Sequence, residues 1–280
     1  MPNPALTTGQ TAVISGAASG IGLAAAKAMA ARGMAVALLD LPGDRLTAAT
    51  QQITELGARA LAIGLDVADP AAYATAASTV AAQLPPVSFL MNNAGMGLPS
   101  STLSDPAAWM RTLGTNLWGV IHGTQAFAPA MLAHGKPALI VNTGSKQGIT
   151  TPPGNPAYNV SKAGVKSYTE ALAHELRNIP DAKVTAHLMI PGWVHTGMTA
   201  NSGAPKPDGA WTADQAVTFM IDALDRGDFY ILCPDNDVTR ELDAKRIAWA
   251  AGDLIENRPA LSRWHPDFGQ AFKDYVEADE

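Results

Sequence analysis

The sequence predicts an α/β fold, in which a mostly parallel, seven-stranded sheet is doubly wound with helices on both faces and a helical extension follows at the C-terminus. Three observations carry that prediction. Short apolar runs alternate with alanine-rich stretches of helical length along the chain. A glycine-rich turn joins the first apolar run to the first helical stretch, and an acid ends the second run. Apolar residues make up 47% and charged residues 16% of the 280 residues, which suits a sheet buried on both faces.

Strands are expected near residues 11–15, 35–39, 59–65, 87–91, 138–142, 183–190 and 229–233. The first, Thr11-Ala-Val-Ile14, feeds Ser15-Gly16-Ala17-Ala18-Ser19-Gly20-Ile21-Gly22, and a helix from Leu23 to Arg32 closes at Gly33. The second, Ala35 to Leu39, ends in Asp40, eighteen residues after Gly22. Asp66-Val67 ends the third strand, and Asp69-Pro70 reads as an N-cap followed by proline in the first helical turn. The fourth strand, Val87 to Met91, runs into Asn92-Asn93-Ala94-Gly95. Val141-Asn-Thr-Gly-Ser145 closes the fifth, and a long helix carries Tyr158 to Asn178. Seven strands separated by helices favour parallel, right-handed crossovers.

The glycines permit a tight turn and a close backbone approach, so that free N–H groups at the helix start face a pyrophosphate. Asp40 is placed to accept hydrogen bonds from both hydroxyls of an adenosine ribose. Tyr158 and Lys162, four apart on a helix, share one face. An ammonium beside a phenol favours the phenolate, which predicts a tyrosine pKa drawn down from about 10. Such a phenol can give a proton to a ketone or take one from an alcohol. A hydroxyl from Ser145 converging on the same point can hold the substrate oxygen. The chemistry predicted is hydride transfer at a carbonyl or alcohol carbon.

From residue 10 to about 200 the chain resembles the short-chain dehydrogenase/reductase family, whose motifs occur in family order and whose core is a Rossmann fold. The resemblance implies NAD as cofactor. It implies that Gly16, Ser19, Gly20, Ile21 and Gly22 cradle its phosphates, that Asp40 and Leu41 meet the ribose, and that Asp66 and Val67 meet the adenine. Asn93, Ala94 and Gly95 would line the cofactor cleft, and Pro191, Gly192, Val194 and Thr196 would grip the carboxamide. Tyr158 and Lys162 match catalytic positions together with Ser145, and Asn116 matches the asparagine that positions a proton-relay water. Tyr158 would be the acid/base, with Lys162 also holding the nicotinamide ribose. The family's helix equivalent to that of Tyr158 packs on a partner subunit, which implies a homodimer or homotetramer. Two departures are Ser15 in place of a threonine and Gly144 in place of a serine. Neither Ser19 nor Leu41, where the family places a basic residue for NADP, is basic.

Composition narrows the partners. The formal charge of −6 argues against nucleic acid and anionic membranes. A lone Cys233 cannot form an internal disulfide, and the start of the chain lacks a basic-then-apolar signal pattern, so a cytoplasmic protein is expected. No metal is expected, because none of the six histidines pairs at ligand spacing with a cysteine or another histidine. Met96, Leu98, Trp193, Met198 and Trp211 follow strand ends or lie in the loop beyond the sixth strand, and as a set they predict a bulky apolar alcohol or ketone, aromatic or cyclic, as substrate. Gln147 shares the serine's side if the chain stays extended there, and Lys146 is expected to face solvent.

The chain reads as one domain over 1–280, with a cofactor-binding and catalytic core over 1–190, a substrate loop and helix over 192–228, and a helical extension over 236–280. In that extension Asp237 is expected to cap a helix ending near Asn257. Leu242, Ile247, Ala250, Ala251, Leu254 and Ile255 form its apolar face, and it packs on its own subunit, reaches a neighbour, or covers the pocket mouth. Two other functions are compatible with parts of the pattern, a cofactor-binding regulator without turnover and an extended-type sugar-nucleotide epimerase or dehydratase.

Overall fold

A computed structural model describes residues 2–103, 106–197 and 205–278. Seven parallel strands form one sheet in the order β3-β2-β1-β4-β5-β6-β7. They are β1 Thr11–Ser15, β2 Ala35–Asp40, β3 Ala60–Gly64, β4 Val87–Asn92, β5 Ala138–Thr143, β6 Val184–Ile190 and β7 Tyr230–Leu232. The strands near 59–65 and 229–233 are shorter than the apolar runs suggest. Both lie at a sheet edge, where pairing is one-sided.

The helices are α1 Gly20–Ala31, α2 Asp44–Glu55, α3 Pro70–Gln83, α4 Pro106–Leu113, α5 Gly119–Ala133, α6 Gln147–Thr150, α7 Pro156–Arg177, α8 Ala213–Arg226, α9 Arg240–Ile255 and α10 Gly269–Glu277. Side-chain alternation along the strands divides the core in two. Ala12, Ile14, Val36, Leu38, Phe89 and Met91 face one way, onto α1, α2 and α8. Val13, Ala37, Leu39 and Leu90 face the other, onto α3 and α5. Each of these side chains larger than alanine, fully buried, contributes roughly 1.5–3 kcal/mol. Helix α1 opens three residues before Leu23, because the glycine turn forms its first turn. Asp69 caps α3 as expected, its carboxylate accepting from Ala71 N at 2.8 Å and Ala72 N at 3.3 Å, with Pro70 beside it.

Buried polar groups lock the middle of the sheet. Asn92 Nδ2 donates to Asn142 Oδ1 at 2.9 Å and to Thr124 Oγ1 at 3.0 Å, and Asn142 Nδ2 donates to Thr169 Oγ1 at 3.1 Å. Two strands and the helices α5 and α7 are thereby fixed in register below the C-terminal edge of the sheet. The strand order turns back between β1 and β4, and loops diverging at such a point leave a crevice at the C-terminal ends of the strands.

The extension packs on its own chain. Thr239, not Asp237, caps α9, accepting from Leu242 N at 3.2 Å. Asp237 belongs instead to a turn closed by Asp235, whose Oδ1 accepts from Asp237 N at 3.2 Å and Val238 N at 2.8 Å. The buried face of α9 also differs from expectation. Leu254 and Ile255 are 88% and 83% exposed, whereas Asp243 and Trp249 are buried. Trp249 is the anchor: its Nε1 donates to Ser262 Oγ at 2.7 Å, Arg258 stacks 4.1 Å above it, and Phe272 and Tyr275 of α10 pack on its ring. The helix is therefore rotated to seat a tryptophan and an aspartate, not its terminal aliphatic pair.

Candidate active site

The crevice is a cleft of about 850 Å³ running from Asp40 at one end to Tyr158 at the other. At the Asp40 end, Gly16 and Gly20 have φ of +66° and +53°, a region that favours glycine. A Cβ on Gly16 would lie 2.8 Å from Ala94 Cα, and one on Gly22 would collide with the Gly16 carbonyl oxygen. The turn is thus shaped by what its glycines lack. Ser19, at the N-cap of α1, makes no side-chain capping bond, so the first N–H groups of the helix stay open toward the cleft. Asp40 Oδ2 accepts from Ala18 N and Oδ1 from Leu41 N, both at 2.8 Å, which fixes the carboxylate at the rim.

The departure at Ser15 keeps the needed oxygen. Ser15 Oγ accepts from Asn93 N at 3.0 Å and Ala94 N at 3.2 Å, while Asn93 Nδ2 donates to Ser15 O at 3.2 Å. Asn93, Ala94 and Gly95 are held as a cleft wall by these bonds, with Asp66 and Val67 beside them. An uncapped helix start, a glycine cradle and an acid at the end of the second strand fit a dinucleotide.

At the other end, Ser145, Tyr158 and Lys162 all line the cleft. Asn155 caps α7, accepting from Tyr158 N at 3.4 Å, and so sets where the phenol emerges. Burial raises the Tyr158 pKa above 10.0, and the nearby Ser145 hydroxyl pulls it back down. Lys162 is 4% exposed, and burial lowers its pKa from 10.5 to about 8. Its Nζ donates to Thr143 O at 2.8 Å and stands 5.8 Å from the Tyr158 ring centroid. The drawn-down phenol expected from helical spacing is therefore corrected. The ammonium turns to a backbone carbonyl, and desolvation dominates at the phenol.

A family model described as short chain dehydrogenase matches residues 10–207. The chain belongs to the short-chain dehydrogenase family. Among similar curated proteins are 1-deoxy-11-beta-hydroxypentalenate dehydrogenase of Streptomyces avermitilis, 32% identical over 85% of this chain and 90% of the relative, and galactitol 2-dehydrogenase (L-tagatose-forming) of Cereibacter sphaeroides, 38% identical over 68% and 74%. Among solved structures, a short-chain dehydrogenase/reductase of Burkholderia phymatum in complex with NAD superposes with a TM-score of 0.81 at 30% identity, covering 90% of this chain and 96% of its own. A metagenomic short-chain oxidoreductase in complex with NADP gives a TM-score of 0.68 at 27% identity, covering 81% and 98%. This short-chain dehydrogenase is accordingly an oxidoreductase of small molecules whose family uses NAD(P). Among the described residues no helix is long and apolar enough to cross a membrane.

Of the expected cofactor residues, Gly16, Ser19, Gly20, Ile21, Asp40, Leu41, Asp66, Val67, Asn93, Ala94, Gly95, Pro191, Gly192, Val194 and Thr196 line the cleft of the dehydrogenase. Gly22 stands behind it, under the turn. Asn116 is fully buried in a π-helical turn, Gly114–Trp118, between α4 and α5. Its Oδ1 accepts from Met96 N at 2.8 Å, and its Nδ2 donates to Met96 O at 2.9 Å and Ser161 Oγ at 3.0 Å. The side chain thus fastens the Met96 loop to α7, and among its described hydrogen bonds none goes to Lys162.

The expected substrate residues divide. Met96 lines the cleft. Gln147 does not, because Lys146 is already in the right-handed helical region and α6 turns the chain there, leaving Gln147 exposed. Trp193 is 42% exposed and off the cleft, while its backbone pairs with Trp211, Trp211 N donating to Trp193 O at 2.8 Å. Met198 lies outside the described residues. Met110, Arg111 and Thr115 line the cleft without having been expected there. The signal for them was the segment just before Asn116, whose helix α4 and π turn run along the mouth.

Lys146 does not face solvent. Its Nζ lies 2.6 Å from Asp243 Oδ2 and 3.4 Å from Asp235 Oδ2. Two carboxylates from beyond β7 recruit it, and spacing near Ser145 could not reveal them.

Proposed function

We propose that this short-chain dehydrogenase is an NAD(H)-dependent oxidoreductase that interconverts a bulky, apolar, aromatic or cyclic secondary alcohol and its ketone. The observation that carries the reading is the presence, along one cleft, of Asp40 at one end and of Tyr158, Ser145 and Lys162 together at the other. When bound, the nicotinamide ring supplies or accepts the hydride. Tyr158 gives a proton to the substrate oxygen in reduction and removes it in oxidation. Ser145 hydrogen-bonds the same oxygen and orients it toward the phenol. Lys162, held by Thr143 O, keeps positive charge behind the tyrosine when protonated and offers a donor toward the cofactor's ribose. Asn116 supports the site by holding Met96 at the cleft wall.

Preference for NAD over NADP follows from Asp40, whose charge would repel a 2′-phosphate, and from Leu41 at the rim in place of a basic residue. Arg45 also lines that end and is the group that works against the preference. The apolar substrate class is supported by Met96 and Met110 in the lining and by the Streptomyces avermitilis relative, whose name is a hydroxypentalenate dehydrogenase. Assembly as a homodimer or homotetramer, which rests on family resemblance, and a cytoplasmic location, which rests on the lone Cys233 and the pattern at the start of the chain, belong to the same proposal.

Tyr158→Phe tests the mechanism. The ring and its packing are kept and the transferable proton is removed, so turnover is expected to fall by about 10²–10⁴-fold. NADH affinity, read by fluorescence titration, is expected to stay near that of the parent protein. Near-normal turnover would refute Tyr158 as the acid/base.

A further inference from the structure

We propose that Lys146 is a positioning residue, clamped by Asp235 and Asp243, through which the C-terminal helix α9 fixes the Ser145 turn and the Pro191–Val194 loop against each other. Three separate parts of the chain meet at this ammonium. Lys146 follows Ser145 directly and begins the turn into α6. Asp243 sits on α9, 4% exposed, with its Oδ2 2.6 Å from Lys146 Nζ. Asp235 lies just past β7, and its Oδ2 is shared: it stands 3.4 Å from Lys146 Nζ and accepts from Trp193 N at 3.0 Å.

The space at the junction is used fully. A Cβ on Gly192 would collide with Asp235 Oδ2 and stand 2.9 Å from Lys146 Nζ, so the cofactor loop passes only because residue 192 lacks a side chain. Asp235 Oδ1 is occupied as well, by Val238 N and Asp237 N, which orients the carboxylate from behind. Arg246 and Arg263 line a small cavity of about 40 Å³ together with Lys146 and Asp243, so further cations stand close to the Asp243 carboxylate. A charge so buried is costly when its partner is removed, and the cluster therefore holds its members tightly in one arrangement.

The consequence is mechanical. The hydroxyl that would orient the substrate oxygen and the loop that would hold the nicotinamide are tied to one post, and that post is anchored in the extension. This inference rests on the proposed function in so far as Ser145 and the loop act on substrate and cofactor.

Lys146→Met and Asp243→Asn test it, with Lys146→Arg as the conservative control. In both variants kcat is expected to fall about ten-fold and the KM for cofactor to rise several-fold, because the reacting groups lose their mutual placement. Binding of ADP-ribose, which needs only the Asp40 end, is expected to stay unchanged. Hydrogen exchange in peptides spanning residues 191–195 is expected to quicken, and Lys146→Arg is expected to restore most of the loss. Should Lys146→Met fail to fold, Asp243→Asn carries the same readouts. The clamp is refuted if kcat, cofactor KM and exchange stay at parental values. It is equally refuted if ADP-ribose affinity falls in step with cofactor affinity, since that marks general disruption. If the parent protein turns over no alcohol or ketone, the functional reading fails. The exchange rates and the comparison of cofactor with ADP-ribose then still decide the clamp.

Discussion

At one end of the cleft a carboxylate, Asp40, is held by two backbone N–H groups of its own neighbourhood, Ala18 and Leu41. At the other an ammonium, Lys162, is 4% exposed and donates to a single backbone carbonyl, with no carboxylate bridged to it among the described residues. The first charge is solvated by the chain and the second is stripped of solvent. A site built in the first way holds a fixed charge in place for recognition. A site built in the second way has a proton affinity brought within reach of working pH, which is what proton transfer requires. The contrast separates the end proposed for recognition from the end proposed for reaction, and each can be attacked separately.

The largest expected effect lies at the buried charge. In the protein without cofactor, a Lys162 pKa of about 8 against the ordinary 10.5 means that the charged form is destabilising in the fold. At neutral pH this amounts to roughly 3 kcal/mol. The sign follows from proton counts: between about pH 8 and 10.5 the unfolded chain holds the proton and the folded one does not, so stability rises with pH through that window. Urea unfolding at about pH 7 and about pH 10 should therefore show the parent protein gaining stability relative to Lys162→Met. Parallel curves for the two proteins would remove the buried charge from the account.

Next in size is the recognition end. A methyl group at Gly22 would press on the Gly16 carbonyl and stand 2.8 Å from Asn93 Nδ2. Relief of such a contact costs about 1–3 kcal/mol, so Gly22→Ala is expected to weaken cofactor binding by up to roughly a hundred-fold in calorimetric titration. Lys162 and its proton affinity should be untouched. Equal affinity in the variant would mean that the turn can relax at no cost.

The reach of the sequence follows the same division. The glycine turn, Asp40, the Asp69 cap and the Tyr158–Lys162 pair were legible because each is a local pattern, complete within a strand, a turn or two turns of helix. The seven parallel strands with helices on both faces followed from the alternation of apolar and helical stretches, whereas the strand order came only from the structure. What stayed hidden depends on distant partners or on local backbone choices. Lys146 is claimed by Asp235, 89 residues away in sequence, and by Asp243 beyond it. The direction in which Lys162 points is set by the carbonyl of Thr143 on β5, not by helical spacing. Gln147 was misplaced because β5 ends at Thr143 and α6 begins at Gln147, so the chain is not extended past Ser145. The face of α9 was assigned only in part: Leu242, Ile247 and Ala250 are partly buried, but Asp243 and Trp249 are buried in place of the exposed Leu254 and Ile255.

A smaller effect sharpens the recognition end. Asp40→Ala removes the charge that would meet a 2′-phosphate but leaves the glycine cradle intact. Discrimination between NAD and NADP, taken as the ratio of kcat/KM values, is expected to narrow by about ten-fold, in line with one exposed like-charge contact of 1–2 kcal/mol. The variant's NAD efficiency should fall less than its NADP efficiency rises. An unchanged ratio would shift the assignment of specificity from Asp40 to Arg45.

The most direct measurement joins the two ends. The full-length protein would be given NAD or NADP with a panel running from cyclic and aryl secondary alcohols to galactitol and other polyols, and the reduced cofactor followed by its absorbance. Reduced cofactor is expected with the bulky apolar alcohols, with greater efficiency for NAD than for NADP and little turnover of polyols. Greater efficiency with polyols or with NADP, or no turnover with any alcohol while the cofactor still binds, would contradict it.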